Sequence, residues 1–342
     1  MPRRGSEPAT ASPAAGEFDR IARFFRPLAA GFPGAFELKD DAALVEVPPG
    51  MRLVVTTDAM VAGVHFLPTD PPGQIAAKLL RVNLSDLAAK GASPLAYSLV
   101  TGLPGDTGDA WLADFAAGLA ADQATYGIHL LGGDSVSTSG PMTLTVSALG
   151  LVPGVGPNGG MVRRSGAQAG DLVFVSGTVG DAALGLRLAL GKHLDATAEE
   201  GAFLLSRLRL PQPRTALAPV LRDHATAAAD VSDGLLADLG HLCTASGHKA
   251  SVRADRLPLS PAASRLLEAD PALLPEIVAG GDDYEIIFTV PPGRRDALLA
   301  AAAQAGVPIA EIGMMSAGAP AVTLLDAGGR DVTPPRLGWQ HF

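Results

Sequence analysis

The chain has one cysteine, Cys243. A single thiol excludes an internal disulfide and suits a reducing compartment such as the cytoplasm. No apolar run reaches membrane-spanning length. No block of Lys or Arg appears, and the formal charge is −9, which argues against a nucleic-acid surface. GxxxxGK(S/T) is missing, so a Walker-type phosphate loop is excluded. There is no nucleophilic Ser, Cys or His motif either. The first stretch, MPRRGSEPATASPAAG, carries two arginines but no apolar segment. It reads as a disordered tail over residues 1–16, not a signal peptide. One G-x-G-x-x-G match exists, GVGPNG at 154–159. Pro157 sits inside it and no helical pattern opens after it, so it is expected to be a loop.

What is present fits two domains. The chain has 342 residues, 47% of them hydrophobic, which is long for one core. Forty glycines and 28 prolines imply short, turn-rich connections. Apolar spacing predicts helices over 17–30, 74–90 and 109–126, and strands over 53–57, 95–101, 128–131 and 143–152. The Gly-, Pro- and Arg-rich stretch 153–170 is the expected boundary between domains at 17–155 and 165–342. Beyond it, strands are expected at 171–176, 249–254, 285–290 and 309–313. Helices are expected at 180–191, 199–208, 214–224, 234–246, 260–269 and 293–305. Mixed helices and strands place both domains in the α/β or α+β class.

Six acidic motifs are scattered through this frame: LKDDAAL (38–44), TTDAMVAGVHF (56–66), VNLSDLAAKGA (82–92), GGDS (132–135), DVSDG (230–234) and GGDDYE (280–285). Carboxylate and hydroxyl oxygens are hard donors, the type Mg²⁺ prefers, and Mg²⁺ bridges phosphates. Bound cations would also reconcile an acidic protein with an anionic nucleotide. Each motif has a plainer reading. Thr56, Thr57 and Asp58 suit a turn after a strand. His65 suits a core. Asp86 lies in an apolar helix and needs a partner if buried. GGDS suits a β-turn, and Ser232 or Asp233 suits a helix N-cap. Arg163 and Arg164 suit solvated charges or phosphate forks. Trp339 suits a packed C-terminus or a lid over a flat cationic ring.

Taken in order, these motifs resemble the thiamine-monophosphate kinase family, within the aminoimidazole-ribonucleotide-synthetase-like (PurM-like) superfamily. The resemblance runs from Gly16 to Trp339 and rests mainly on VNLSDLAAKGA, DVSDGL, GGDDYE and the terminal GW-HF. It implies two α/β domains, dimerisation through the N-terminal sheet, and ATP- and Mg²⁺-dependent conversion of thiamine phosphate to thiamine diphosphate. It implies metal ligation by Asp41, Thr56, Thr57, Asp58, Asp86, Asp134, Asp230 and Asp233. Arg164, Ser232, Gly133 and Asp134 would meet ATP, and His65, Asp282 and Trp339 the thiamine phosphate. Two residues depart from the family pattern: Lys39 replaces a usual Gly, and Asp282 a common Glu. The attacking atom would be a phosphate oxygen with a second pKa of ~6, so no general base is expected. The alternatives are another ATP-dependent member of the superfamily or a non-catalytic divalent-cation binder. A selenide-activating enzyme would want a reactive Cys near the N-terminus, whereas Cys243 falls mid-helix. A hydrogenase-maturation relative would want a C-terminal Cys, whereas the last residue is Phe342.

Overall fold

The computed structural model describes residues 16–155 and 160–339. Two sheets organise it. The first holds β1 (Met51–Val61), β2 (Ser93–Pro104), β3 (His129–Thr138) and β4 (Thr143–Pro153), in the order β1-β4-β2-β3. β4 shows why it forms. Leu144, Val146, Ala148, Gly150 and Val152 are buried, and the intervening residues are half-buried, the period of a strand covered on one side. Between β3 and its parallel neighbour β2, the register slips after Tyr97, leaving Leu131 as an extra residue just before Gly132. The short α1 (Glu17–Arg20) precedes this sheet in sequence. The longer α2 (Pro72–Ala89) and α3 (Asp109–Tyr126) join its buried side, where Leu79, Leu80, Tyr97, Phe115 and Leu119 form the core. The other side is open in the single chain. Val55 is 61% exposed there, and Val100 and Val136 are also exposed.

The second sheet comprises β5 (Leu172–Ser176), β6 (Ala227–Asp230), β7 (Lys249–Arg253), β8 (Ile286–Val290), β9 (Ile309–Ser316) and β10 (Ala321–Leu325). Its order is β10-β7-β9-β5-β8-β6, with only β10 and β7 parallel. Its helices are α4 (Asp181–Ala189), α5 (Ala198–Arg209), α6 (Ala218–His224), α7 (Leu235–Ser246), α8 (Pro261–Ala269), α9 (Leu274–Ala279) and α10 (Arg295–Gln304). All five β8 residues are buried, as expected for a strand covered on both faces.

Several expectations need correcting. The helix expected at 17–30 is one α turn, a π turn at Ile21–Phe25 and a 3₁₀ turn at Arg26–Ala29. Pro27 supplies no N–H and disrupts a regular helix here. Phe24, Phe25 and Leu28 are buried, but Phe18 is 82% exposed. β1 and β3 run past their expected ends, so TTD and GGDS lie within strands, not turns. The helix expected at 214–224 opens as a 3₁₀ turn, Thr215–Leu217. β6, α9 and β10 were not anticipated. β6 reads Ala-Ala-Ala-Asp and carries no strand propensity. Residues 1–15 of the expected tail, 156–159 of the GVGPNG loop, and 340–342 lie outside the described residues.

α2 joins the two halves. Thirteen of its 18 residues are buried, because its flanks are covered from both sides. Ala88 and Ala89 belong to the same apolar cluster as Leu217, Leu221 and Phe288. Polar ties reinforce the contact. Lys90 Nζ donates to the Ala228 carbonyl at 2.7 Å, Arg81 to that of Pro211 at 3.2 Å, and Arg209 pairs with Asp70 at 2.7 Å. Among the described residues no helix is long and apolar enough to cross a membrane.

Candidate active site

Strand alternation sorts the TTD motif. Val54 and Met60 face the core, so Thr56 and Asp58 share that side, and Thr57 faces the open side. Thr56 donates its hydroxyl to Asp86 on α2. The Asp58 N–H donates to Asn83 Oδ1 at 3.1 Å, and Asn83 in turn donates to the Leu79 carbonyl. The polar residues of the apolar helix VNLSD are thus used one by one. Thr57 instead meets Ser147 at 2.9 Å.

The second half contributes the DVSDG loop. β6 delivers Asp230, which is 4% exposed. Neither Ser232 nor Asp233 caps α7. Asp238, inside that helix, instead holds the loop before it, accepting the N–H groups of Ser232, Asp233 and Gly234 at 3.0, 3.0 and 3.2 Å. Three loop donors close to the carboxylates are thereby satisfied. Gly234 has φ +132°, and a Cβ there would meet the Ala279 carbonyl carbon at 2.9 Å. Only glycine fits that approach.

Asp58, Asp86, Asp230 and Asp233 thereby converge from opposite halves, and their electrostatics show it. Burial, then Asp86 and Asp233, pushes Asp58 up to about 6. Burial, then Asp86, Asp238 and Asp58, pushes Asp230 well above the usual carboxylate range, with Lys90 opposing. Asp238 is raised to about 7 by burial and Asp233. Burial lowers Lys90 to about 8, with Arg164 in the same direction and Asp230 and Asp86 against it. Like charges held together out of water favour either protons or a cation. The donors are hard oxygens, the set that suits a divalent cation of the Mg²⁺ or Mn²⁺ kind. Asp233 and Asp238 also lie with exposed His241, all three offering donor atoms within 4.8 Å of one another.

The other expected ligands sit apart from this cluster. Asp41, Gly133 and Asp134 line a cavity of about 530 Å³ with Phe18, Phe25 and Ser98. Register puts Asp134 beside Val100, Thr145 and Ala59, on the open side with Thr57. A Cβ on Gly133 would meet the Leu99 carbonyl at 1.7 Å, while one on Gly132 would meet nothing, so it is Gly133 that allows strand contact here. Phe36, Glu37 and Leu38 all have left-handed backbone before Asp41, a strained turn for non-glycine residues. Lys39 pairs with Glu37, both exposed, and does not join the carboxylates. Arg164 is exposed, and its neighbour Arg163 accepts the Ala228 N–H through its carbonyl at 2.9 Å.

GGDDYE is three acids with three fates. Asp282 pairs with buried Lys78 at 3.1 Å. Asp283 accepts the N–H groups of Gly180 and Ala182 and so caps α4. Glu285 is fully buried between Arg207, Arg214 and Ser176. Backbone bonds from Asp282 to the Ser232 carbonyl and Tyr284 to that of Val231 lay this strap along the DVSDG loop. Trp339 joins the same loop through its N–H to the Asp233 carbonyl at 2.9 Å. Its ring is 52% exposed and borders a cavity of about 380 Å³ with Gly280, Gly281 and Arg336. The Arg336 guanidinium lies 5.5 Å from the Trp339 ring. His65 Nδ1 accepts the Val61 N–H at 3.0 Å. Lys78, Lys90, Asp238 and Tyr284 are site features that sequence reasoning missed.

The chain matches the family models described as AIR synthase related protein, N-terminal domain, at residues 39–152 and C-terminal domain at 168–324. It is 49% identical over 337 residues to the thiamine-monophosphate kinase of Caulobacter vibrioides, covering 98% of this chain and 92% of that protein. The chain belongs to the thiamine-monophosphate kinase family. Its two-sheet architecture is the PurM-like fold of that family. The crystal structure of thiamine-monophosphate kinase from Stenotrophomonas maltophilia K279a is 42% identical, with TM-score 0.76 over 84% of this chain and 89% of that one. AaThiL complexed with AMPPCP and TMP is 31% identical, with TM-score 0.75 over 89% and 91%.

Proposed function

We propose that the protein transfers the γ-phosphoryl group of ATP to the phosphate of thiamine monophosphate, giving thiamine diphosphate and ADP. One observation carries the reading: Asp58 and Asp86 from the first half meet Asp230 and Asp233 from the second, where burial and the neighbouring carboxylates push Asp58 and Asp230 above the usual carboxylate range. Such a cluster is suited to gathering Mg²⁺, and Mg²⁺ would supply charge neutralisation between two polyanions. The AMPPCP and TMP of the 31% identical relative correspond to a donor and an acceptor of this kind.

The chain's own groups then divide the work. The cavity beside Asp41, Gly133 and Asp134 takes the nucleotide, with Arg164 and Ser232 toward its phosphates. His65, Asp282 and Trp339 take the acceptor. A phosphate oxygen of thiamine monophosphate attacks the γ-phosphorus, the bond to the ADP oxygen breaks, and ADP leaves. The acceptor phosphate, with a second pKa of ~6, is already largely deprotonated, so no side chain needs to remove a proton. Thr56 holds Asp86, and Asn83 holds the Asp58 backbone, which fixes the carboxylates in place.

The open side of the first sheet supports a homodimer, with Val55, Val100 and Val136 at the contact. We assign the dimer to the cytoplasm, which the single cysteine suits. An assay coupled to ADP tests the function. ADP formation should require both thiamine monophosphate and Mg²⁺. ADP release that ignores thiamine monophosphate would overturn the reading.

A further inference from the structure

Lys78 has a side chain only 5% exposed. A lysine so buried needs partners. Its ammonium donates to the His65 carbonyl at 3.0 Å and to Asp282 Oδ2 at 3.1 Å. One group therefore ties α2 to the turn after β1 and to the strap before β8, 204 residues along the chain. Asp282 has φ +71°, a conformation that disfavours a side chain and persists where its surroundings hold it. Its carboxylate also lies against the half-buried Tyr284 side chain. It keeps 29% of its side-chain surface, enough to touch a ligand.

This differs from the carboxylates nearby. Asp58 and Asp230 face other carboxylates, whereas Asp282 has an ammonium in direct contact. A second cation gains little at a carboxylate already paired and is repelled by the ammonium. A neutral N–H donor meets no such penalty and finds an acceptor held in place.

We propose that Lys78 is a positioning residue of the acceptor pocket. It locks the His65 turn and Asp282 into one wall and leaves Asp282 as a hydrogen-bond acceptor for a neutral N–H group of the acceptor, such as the amino group of an aminopyrimidine. Asp282 is then not a cation ligand. The inference rests on the proposed function, in which His65 and Asp282 meet the acceptor.

The test compares Lys78→Met, Lys78→Arg, Asp282→Asn and the double variant Lys78→Met/Asp282→Asn. Steady-state constants for thiamine monophosphate and ATP are measured with thermal melting, and Mn²⁺ stoichiometry by paramagnetic resonance. Lys78→Met should raise KM for thiamine monophosphate about tenfold, the scale of one charge-assisted hydrogen bond, with kcat and KM for ATP within about twofold. Lys78→Arg should recover most of the loss. Every variant should bind as much Mn²⁺ as the wild type. Should Lys78→Met not fold, the double variant removes both charges of the pair at once and should show the same raised KM. An unchanged KM for thiamine monophosphate in folded Lys78→Met, or in the double variant where Lys78→Met does not fold, overturns the positioning role. A lost Mn²⁺ equivalent in Asp282→Asn overturns the acceptor role. If the wild-type enzyme makes no ADP with thiamine monophosphate, the proposed function itself fails and this inference falls with it.

Discussion

Two sets of buried carboxylates lie close together here and behave differently. Glu285 is enclosed by two guanidiniums and a serine hydroxyl. Asp58, Asp86 and Asp230 face one another, and Lys90 is the cation that opposes the rise at Asp230. The first set has its counter-charge built in, so it holds the second half of the chain together. The second has carboxylates in excess, so it is poised for an added cation. The same residue type, within one acidic strap and the loop beside it, is structural or functional according to what sits opposite.

The largest effect should come from breaking the first set. Glu285→Ala leaves Arg207 and Arg214 buried without their main partner. Removing one member of a buried pair costs about 3–5 kcal/mol. Thermal and urea melting should show that loss, and Mn²⁺ affinity measured well below the melting point should not change. A parallel loss of Mn²⁺ binding would merge the two sets into one.

Breaking the second set should invert the signs. Asp58→Asn removes a cation ligand and should lower kcat/KM by at least about a hundredfold. It also removes a repulsive charge, so the chelated protein should melt higher than the wild type. A chelated variant that melts lower would mean that Asp58 is compensated after all.

The third prediction uses pH. Asp58 and Asp238 have folded pKa values of about 6 and about 7, above their ordinary 3.8. The folded state therefore binds more protons than the unfolded state between those limits. Stability of the chelated protein should fall as pH rises through that window and level off above it. Mg²⁺ needs the deprotonated carboxylates, so the stabilisation it gives should grow over the same range. Melting temperatures from about pH 5 to about pH 8, with chelator and with Mg²⁺, should diverge. Curves that stay parallel would remove Asp58 and Asp238 from the cation site.

The comparison also explains what sequence could and could not supply. Alternation in TLTVSALGLV marked β4, and the apolar run of 74–90 marked α2, because both signals are local. The acidic motifs were visible because Asp beside Gly or Ser is conspicuous. Their sorting was not. Asp283 and Glu285 look like Asp282 until Gly180, Arg207 and Arg214 are brought against them from 103, 78 and 71 residues away. Lys78 and Lys90 look like surface residues of a helix and its end, and become buried and half-buried where the second half meets α2. Asp238 looks like a solvated helix residue until the loop before it folds back. β6 has no pattern of its own and exists because β8 offers an edge to pair with.

The smallest effect should be at Trp339. An exposed indole beside the DVSDG loop is suited to stack on the flat rings of thiamine monophosphate. Cation–π attraction contributes roughly 0.5–2 kcal/mol, depending on desolvation. Here Arg336 already lies 5.5 Å from the ring, and the ring is 52% exposed. One face is shared and desolvation is partial, so the lower end of the range applies. Trp339→Ala should raise KM for thiamine monophosphate about two- to fivefold and leave KM for ATP unchanged. The melting temperature should hardly move, since the N–H that anchors the tail to the Asp233 carbonyl belongs to the backbone and survives the substitution. A lower melting temperature with both constants at wild-type values would make Trp339 an anchor of the tail and not part of the acceptor pocket. Arg336→Ala separates the remaining cases. It frees the shared face, so it should lower KM for thiamine monophosphate if the indole stacks on the substrate. It should leave that constant alone if the indole only packs.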